Sequence, residues 1–252
     1  MGKGVRRVSN SRLVRPKSAT PSVFIINVMG VALRLLLLTS SKLRKKFMNL
    51  GELANYQIWL KSTFGEIKVR NSRERVWLDM KARINGKKIH GVELGVAWGY
   101  LTYFWIKNAP TSILKWDAYD LFTGLPRAWR NSPVGAFSNN GETPKILDDR
   151  INWHVGFVEE TIQNLQISNN RDYSLLVFFD LDIYEPSLVA WQKLKPMLKI
   201  GDILYFDEAF DLDERSLLEN HILPSGEFEF VSANWISLAL EVKSLEPKLQ
   251  SD

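Results

Sequence analysis

The sequence predicts a doubly wound α/β fold, in which a mostly parallel seven-stranded sheet carries helices on both faces. From residue 86 onward, short apolar runs typical of strands alternate with helical segments, which is the pattern of βαβ units. A glycine-containing turn follows the first of these runs, and acidic residues follow several of the later ones. The chain has 252 residues, of which 45% are hydrophobic and 24% charged, so its length and composition suit one such domain with an appendage.

Each element is predicted from its own pattern. Five apolar runs indicate parallel strands, and the tail indicates two closing strands joined at 232–234, one of them antiparallel to the rest. Helices are expected where apolar residues recur at helical spacing, as at Leu188, Trp191 and Leu194. The predicted strands are Lys88–Leu94, Ile113–Tyr119, Ile151–Val155, Leu175–Phe179, Ile203–Phe206, Glu227–Val231 and Trp235–Val242. The predicted helices are Trp98–Lys107, Glu159–Leu165 and Pro186–Leu198.

The region before residue 86 has a different composition. Residues 1–22, rich in Arg, Lys, Ser and Pro, predict a flexible basic arm, and residues 23–85 predict a helical region before the main domain at 86–252. Residues 1–50 contain eleven Lys or Arg and no acidic residue, so 51–252 holds 33 − 11 = 22 basic and 28 acidic residues, a balance of −6. The positive net charge of +5 therefore comes from residues 1–50, and we expect no nucleic-acid binding by the main domain.

The apolar segment Val23–Thr39 is too short for a comfortable membrane span, which needs ~20 apolar residues, and Gly30 and Arg34 interrupt it. No small-x-small cleavage site follows, so a cytoplasmic protein is expected rather than a secreted one. Two interpretations stay open. The segment packs as a helix on the main domain or on a partner subunit, which we favour, or residues 23–46 lie on a membrane surface through the basic cluster at 42–46. A homo-oligomer is also left open.

The chain contains no cysteine, which excludes a disulfide framework, a thiolate metal site and a cysteine nucleophile. Its three histidines, His90, His154 and His221, lie far apart in the sequence and form no ligand pair at a metal-binding spacing. Any metal ion must therefore be bound by oxygen or by single imidazoles, and carboxylates are the better candidates.

The segment GVELGVAWG at residues 91–99 combines a strand end, the acidic Glu93 and a glycine turn that opens a helix. Small residues let the backbone approach a ligand, and a helix N-terminus offers N–H groups to an anionic group such as a carboxylate. The G-x-x-x-G spacing differs from the G-x-G-x-x-G of a nicotinamide-binding turn. A purely structural strand-to-helix turn is the alternative.

The second strand also ends in an acid. A carboxylate about twenty residues after the glycine turn is suited to accept ribose hydroxyls. We choose Asp120 for this role, with Asp117 as the fallback. For either residue, the alternative is a solvated loop carboxylate or a helix cap.

Two buried strands each end in a pair of acids, Asp180 with Asp182 and Asp207 with Glu208. Because the carboxyl ends of parallel strands meet at one edge of a sheet, these four acids should converge. Such a cluster repels itself unless a cation or a proton is shared, and oxygen ligands suit Mg²⁺ or a similar hard cation. The sequence therefore predicts a divalent metal site, although helix capping could explain one acid of each pair.

From about residue 88 to 210, the chain resembles the macrocin O-methyltransferase (TylF-like) family of metal-dependent class I methyltransferases. The resemblance is carried by V-E-x-G-V-x-x-G at Val92–Gly99, D-x-F-x-G-L-P at Asp120–Pro126, the stretch Gly156–Thr161, and D-x-D-x-Y at Asp180–Tyr184 with the later acid pair. It implies a Rossmann-like fold, S-adenosylmethionine (SAM) as cofactor, and transfer of its methyl group to a hydroxyl of a sugar or glycosylated small molecule. A catechol-like phenol as acceptor, or a non-catalytic cofactor-binding scaffold, is the alternative.

The resemblance also implies roles for individual residues. Glu93, Gly95 and Gly99 would bound the methionine end of the cofactor. Asp120 would hold its ribose, and Gly156 and Phe157 would flank its adenine. The full set of implied cofactor-binding residues is Glu93, Gly95, Val96, Ala97, Gly99, Tyr100, Asp120, Gly156, Phe157 and Asp180.

For the chemistry, the resemblance implies Asp182 as the general base and Asp180, Asp207 and Glu208 as ligands of Mg²⁺ or a similar cation. The family usually has a second Asp at the position of Glu208. Separately, the loop Arg127–Thr143 is long enough for a substrate lid, and an ordinary connection is the equal alternative.

Overall fold

The computed structural model describes Met29 and residues 41–245. The described residues from Glu52 onward belong to one compact unit. The arm at 1–22 and nearly all of the apolar segment at 23–39 lie outside the described residues, so the expected membrane contact and oligomeric state stay predictions. In the part of the chain that is described, no helix combines the length and the apolar character that crossing a membrane requires.

Seven strands form a single sheet in the order β3-β2-β1-β4-β5-β7-β6. Pairing is parallel from β3 to β5, and β7 runs antiparallel to both of its neighbours, β5 and β6. The predicted mostly parallel sheet with an antiparallel closing strand is thus confirmed. The strands are β1 (Ile89–Leu94), β2 (Ile113–Asp120), β3 (Ile151–Val155), β4 (Ser174–Phe179), β5 (Ile203–Phe206), β6 (Glu227–Ala233) and β7 (Leu238–Ser244).

Helices precede and connect the strands. Predicted helix Pro186–Leu198 ends early as an α-helix because Pro196 cannot continue it, and a 3₁₀ turn follows at Lys195–Met197. Predicted helix Glu159–Leu165 is one α-helical turn followed by the 3₁₀ turn Ile162–Asn164. Between residues 41 and 245, the α-helices are α1 (Ser41–Phe64), α2 (Arg73–Ile84), α3 (Tyr100–Asn108), α4 (Val158–Thr161), α5 (Tyr184–Leu194) and α6 (Leu212–Leu217), and α6 runs into a π-helical turn at Leu218–Ile222.

The link between the closing strands differs from the prediction. Ser232 and Ala233 belong to β6, and the turn lies at 234–237 instead of 232–234. The side chain of Asn234 accepts hydrogen bonds from the backbone N–H groups of Ile236 and Ser237, at 2.8 and 2.7 Å. These amides are therefore committed to the turn, and β7 begins only at Leu238.

Helices cover both faces of the sheet, as predicted. Alternate residues of β4 belong to two separate apolar clusters, with Val177 and Phe179 in one and Leu176 and Phe178 in the other, because successive side chains of a strand point to opposite faces. The first cluster includes residues of α1 and α5, and the second includes residues of α2 and α3.

The strand order reverses at β1, which has β2 on one side and β4 on the other. Ligands of doubly wound folds bind outside the carboxyl ends of the strands at such a point. Gly95, which follows β1, has φ 87°, and a Cβ at this position would stand 1.8 Å from the carbonyl oxygen of Asp180. The two strand ends approach so closely here that only glycine fits.

Candidate functional site

A cavity of about 680 Å³ opens at the carboxyl ends of the strands around this reversal point. Its volume falls within the range of roughly 300–1,000 Å³ that small-molecule sites occupy. Its wall carries eight acidic side chains and two arginines, Arg73 and Arg127. Those acids that are ionised disfavour an anionic ligand in the cavity.

Eight of the ten predicted cofactor-binding residues line this cavity, and the exceptions are Gly99 and Gly156. Gly99 turns toward the loop after the lid segment, since a Cβ there would meet the side chain of Pro144 at 2.8 Å. The residues of the predicted set that do line the wall are Glu93, Gly95, Val96, Ala97, Tyr100, Asp120, Phe157 and Asp180.

Asp120 binds the glycine turn itself. Its Oδ2 accepts hydrogen bonds from the backbone N–H groups of Val96 and Ala97, at 2.7 and 2.8 Å, and its Oδ1 accepts one from Phe122 at 2.6 Å. An ionised carboxylate offers about four acceptor positions, so roughly one remains free. Two of the turn amides that the sequence offers to an anionic ligand are thus already occupied by a carboxylate of the chain.

Glu93 is a buried residue of the cavity wall. Its Oε2 accepts hydrogen bonds from the Thr102 hydroxyl at 2.5 Å and from the Trp116 indole N–H at 2.6 Å. Burial raises the pKa of Glu93 to about 8, although both hydrogen bonds and the neighbouring backbone act to lower it. Near neutral pH, this carboxyl group is therefore mostly protonated.

Asp117, the fallback for the ribose, does not line the cavity. It is buried within the sheet, where its carboxylate contacts His90 Nε2 at 2.6 Å, His154 Nε2 at 2.8 Å and Lys115 Nζ at 2.9 Å. Burial acts to raise the pKa of Asp117, but these three partners hold it well below its usual value. Of the two candidates, only Asp120 is positioned to meet a ligand.

The four strand-end acids converge as predicted, and a residue that the sequence did not single out lies among them. Arg73, the first residue of α2, directs Nη2 to Asp207 Oδ2 at 2.6 Å and to Glu208 Oε1 at 3.2 Å. The second oxygen of Asp207 accepts a hydrogen bond from the Tyr205 hydroxyl at 2.6 Å. Burial lowers the pKa of Arg73, but the surrounding acids, Asp207 foremost, raise it above its ordinary value, so the guanidinium stays charged.

Asp182 projects from the turn after β4 with φ 61°, a left-handed conformation that is uncommon for residues other than glycine. Its side chain is buried in the cavity wall, and burial followed by the charges of Asp207 and Asp211 raises its pKa to about 7. Backbone conformations of this kind cost energy and are often retained at functional sites.

Burial also raises the pKa of the other acids in the cluster. For Glu208 the value rises to about 8, with Asp207 and Asp182 adding to the effect of burial. Behind the cluster, Glu214 accepts a hydrogen bond from the Glu208 backbone N–H at 3.0 Å, and burial followed by the charge of Glu208 raises its pKa well above the usual range. The site thus holds several acids that are readily protonated around one fixed positive charge.

The predicted metal ligands do not fit a divalent cation in this arrangement. Among the described residues, no group of three or more His, Asp or Glu side chains has the geometry of a metal site. Mg²⁺ requires oxygen atoms at about 2.0–2.1 Å in near-octahedral order. Both oxygens of Asp207 and one of Glu208 are instead held by Arg73 and Tyr205.

Sequence reasoning missed Arg73 because only the packing of α2 reveals it. Ser72 caps the helix by accepting a hydrogen bond from the Arg75 N–H at 3.4 Å, which a sequence pattern can suggest. The position over the acids follows from tertiary contacts. Val76, Trp77 and Met80 are buried, and the Trp77 ring lies 6.1 Å from that of Tyr205 on β5.

The loop Arg127–Thr143 lies at the cavity. Arg127 and Phe137 line the wall, and the Phe137 ring meets that of Trp98 edge-on at 6.4 Å. Arg130 anchors the loop through ion pairs to Glu52 and Asp211. The loop has the position that a substrate lid requires.

No protein-family model and no curated protein matches this chain. Solved structures do. CalS11, a calicheamicin methyltransferase, is 18% identical with a TM-score of 0.49 over 90% of this chain and 95% of its own. The O-methyltransferase NovP is 15% identical with a TM-score of 0.45 over 68% and 80%. An rRNA methylase from Streptococcus thermophilus is 13% identical with a TM-score of 0.45 over 71% and 100%. At these values, the likeness carries no information on the substrate or reaction of this chain.

Proposed function

We propose that this protein is a SAM-dependent O-methyltransferase, in which Asp182 accepts the proton of the acceptor hydroxyl. The observation that carries the proposal is the juxtaposition of two parts of one cavity. The Gly95 turn and Asp120 line the same cavity as Asp182, which has a left-handed backbone conformation. The membership in the macrocin O-methyltransferase family that the sequence motifs suggest remains a prediction.

The cavity fits the cofactor in three respects. Its acid-rich wall favours the positively charged sulfonium. Asp120 retains about one acceptor position for a ribose hydroxyl. Phe157, 46% exposed at the wall, offers an aromatic face to the adenine. When bound, SAM supplies an electrophilic methyl group, to which the acceptor oxygen forms a bond while the sulfur keeps the electron pair of the broken S–CH₃ bond.

The chain's own residues carry the remaining requirements. Asp182 takes the hydroxyl proton, and a pKa near 7 suits a general base that works near neutral pH. Arg73 keeps Asp207 in place beside it. Arg127, Phe137 and the rest of the lid limit the access of water to the cavity. No step is assigned to a metal ion, because two of its three predicted ligands, Asp207 and Glu208, are paired with Arg73.

The acceptor that fits best is an uncharged hydroxyl compound such as a sugar or a glycosylated small molecule. The acidic wall disfavours a phosphorylated acceptor, and the aromatic pair of Trp98 and Phe137 suits the apolar face of a sugar ring. A catechol-like phenol would use the same pair. A non-catalytic scaffold is a second candidate, since the occupied turn amides and the paired acids make a stable site without a ligand.

The test is calorimetry with S-adenosylhomocysteine (SAH), followed by a methyl-transfer assay with labelled SAM on neutral glycosides, catechols and nucleotide sugars. We expect SAH binding and turnover on neutral glycosides. SAH binding with no turnover on any acceptor would favour the scaffold, and absence of SAH binding would refute both candidate functions. Turnover confined to nucleotide sugars would contradict the preference expected from the acidic wall.

A further inference from the structure

We infer that Arg73 is the resident cation of the strand-end acid cluster and stands where a divalent metal ion would otherwise lie. Two consequences follow. The cluster of Asp180, Asp182, Asp207 and Glu208 does not recruit Mg²⁺ or Mn²⁺ while Arg73 is present. Methyl transfer, which rests on the proposed function, proceeds without such an ion. The first consequence does not depend on the proposed function.

The acid cluster needs positive charge. Four carboxyl groups at the ends of two adjacent strands repel one another unless a cation or proton lies between them. One nitrogen of Arg73 contacts two of them, at 2.6 Å to Asp207 and 3.2 Å to Glu208. The side chain of Asp207 is only 3% exposed, so bulk water does little to screen this contact.

Arg73 and a metal ion would compete for Asp207. Arg73 contacts Oδ2 and the Tyr205 hydroxyl contacts Oδ1, so an ion bound by Asp207 would share one of these oxygens or displace its partner. Either position brings a divalent ion beside a guanidinium that does not lose its proton, and the two positive charges repel. Metal binding by Asp207 therefore requires the side chain of Arg73 to leave the site.

Arg73 is held in place by the helix that carries it. It is the first residue of α2, directly after the Ser72 cap. The next turns of the helix are fixed by the buried side chains of Val76, Trp77 and Met80. Arg75, on the same turn, is exposed and takes no part in the ion pairs of Arg73 with Asp207 and Glu208. Only one of these two neighbouring arginines reaches the acids, which provides a matched control.

The test measures Mn²⁺ binding by electron paramagnetic resonance and thermal unfolding with and without MgCl₂, on the full chain. We expect no Mn²⁺ binding by the wild type and no effect of MgCl₂ on its melting temperature. Arg73→Gln should melt lower, gain at least about tenfold in Mn²⁺ affinity, and recover stability with MgCl₂. The added substitution Asp207→Asn should abolish the gain.

Two further variants complete the test. Arg75→Gln should behave as the wild type, and Arg73→Lys, which keeps a cation, should stay insensitive to metal even if Arg73→Gln folds poorly. The inference is overturned if the wild type binds Mn²⁺ and loses it in Asp207→Asn, or if Arg73→Gln binds no more Mn²⁺ than the wild type. These measurements do not involve methyl transfer, so failure of the proposed function would appear separately, as an absence of SAH binding or turnover.

Methyl transfer offers a third measurement if turnover is found. Activity of the wild type should be unchanged after treatment with EDTA and after addition of MgCl₂. A requirement for Mg²⁺ would overturn the second consequence and leave the proposed function in place.

Discussion

Gly95 and Asp180 meet at the point where the strand order reverses, with room for no side chain between them. A Cβ at Gly95 would stand 1.8 Å from the Asp180 carbonyl oxygen, and φ at Gly95 is 87°. We expect Gly95→Ala to lower the free energy of unfolding by at least about 3 kcal/mol, from backbone strain and from overpacking together. Urea unfolding would measure it.

Gly86→Ala is the control for Gly95→Ala, because Gly86 has φ 78° and a Cβ placed there would have no atom within 4 Å. It should cost only about 1–2 kcal/mol, from the left-handed conformation alone. SAH affinity should fall in Gly95→Ala and be retained in Gly86→Ala. Equal losses of stability in the two variants would contradict the close contact.

Replacing the proposed base should separate chemistry from binding. Asp182→Asn should lower kcat by about a hundredfold or more, because the amide accepts no proton, while SAH affinity stays unchanged. Asparagine tolerates the left-handed conformation that Asp182 adopts, so the backbone should be preserved. Asp172→Asn, at an exposed position before β4, is the control for loss of one carboxylate. Full activity of Asp182→Asn would remove it from the mechanism.

The buried carboxyl group of Glu93 should make stability depend on pH. Its pKa rises from 4.5 to about 8 on burial, so the folded chain keeps a proton that the unfolded chain has released. The contribution of Glu93 to stability is therefore most favourable below pH 4.5, and it falls as the pH rises from 4.5 to about 8. By pH 8 the cost reaches up to about 4 kcal/mol.

Glu93→Gln mimics the protonated acid and should remove this dependence. Its melting temperature should match that of the wild type near pH 5 and exceed it near pH 8, as measured by calorimetry across that range. Glu160→Gln, at an exposed position on α4, should follow the wild type throughout. If the difference in melting temperature between the wild type and Glu93→Gln were the same at pH 5 and pH 8, the raised pKa of Glu93 would be contradicted.

Two lid arginines should differ in importance. Arg130, whose side chain is 17% exposed, pairs with Glu52 and Asp211 and lies 4.8 Å from the Phe210 ring centroid. Arg130→Gln should cost about 1–3 kcal/mol and speed proteolysis within 127–143. The substitution should not change backbone strain, because arginine and glutamine are equally strained at the φ of 51° that residue 130 adopts.

Arg127→Gln is the matched variant, since the Arg127 side chain is 52% exposed and its partner Glu185 69% exposed. An exposed pair of this kind contributes about 0–1 kcal/mol, so stability and proteolysis should hardly change. If Arg127→Gln loosened the loop as much as Arg130→Gln, Arg130 would not be its anchor.

The sheet could be predicted well because strands leave a local signal. All seven predicted strands exist, and the bounds of β3 and β5 match at both ends. The turn at 234–237 was misplaced because apolar residues such as Trp235 and Ile236 suggest a strand, whereas the side chain of Asn234 decides the conformation. Such side-chain capping competes with strand pairing and is invisible to hydropathy.

The site was predicted in part, since strand ends indicate which acids converge but not what neutralises them. Asp180, Asp182, Asp207 and Glu208 all line one cavity, as the topology requires. Their positions in the sequence indicate that the cluster needs a positive charge, and a metal ion is the simplest source to infer from sequence. Arg73 escaped because its position depends on how α2 packs against the sheet, which periodicity does not specify.

The placement of α2 has a consequence for any shortened form of the protein. A fragment that begins at residue 86 would contain all seven strands and every sequence motif of the cofactor site, yet it would lack Arg73 and Trp77. Its acid cluster would be left without a counter-charge, and the apolar face that α2 covers would be open to water. A shortened chain that keeps Arg73 beside the acid cluster must therefore begin before Ser72, well upstream of the first strand.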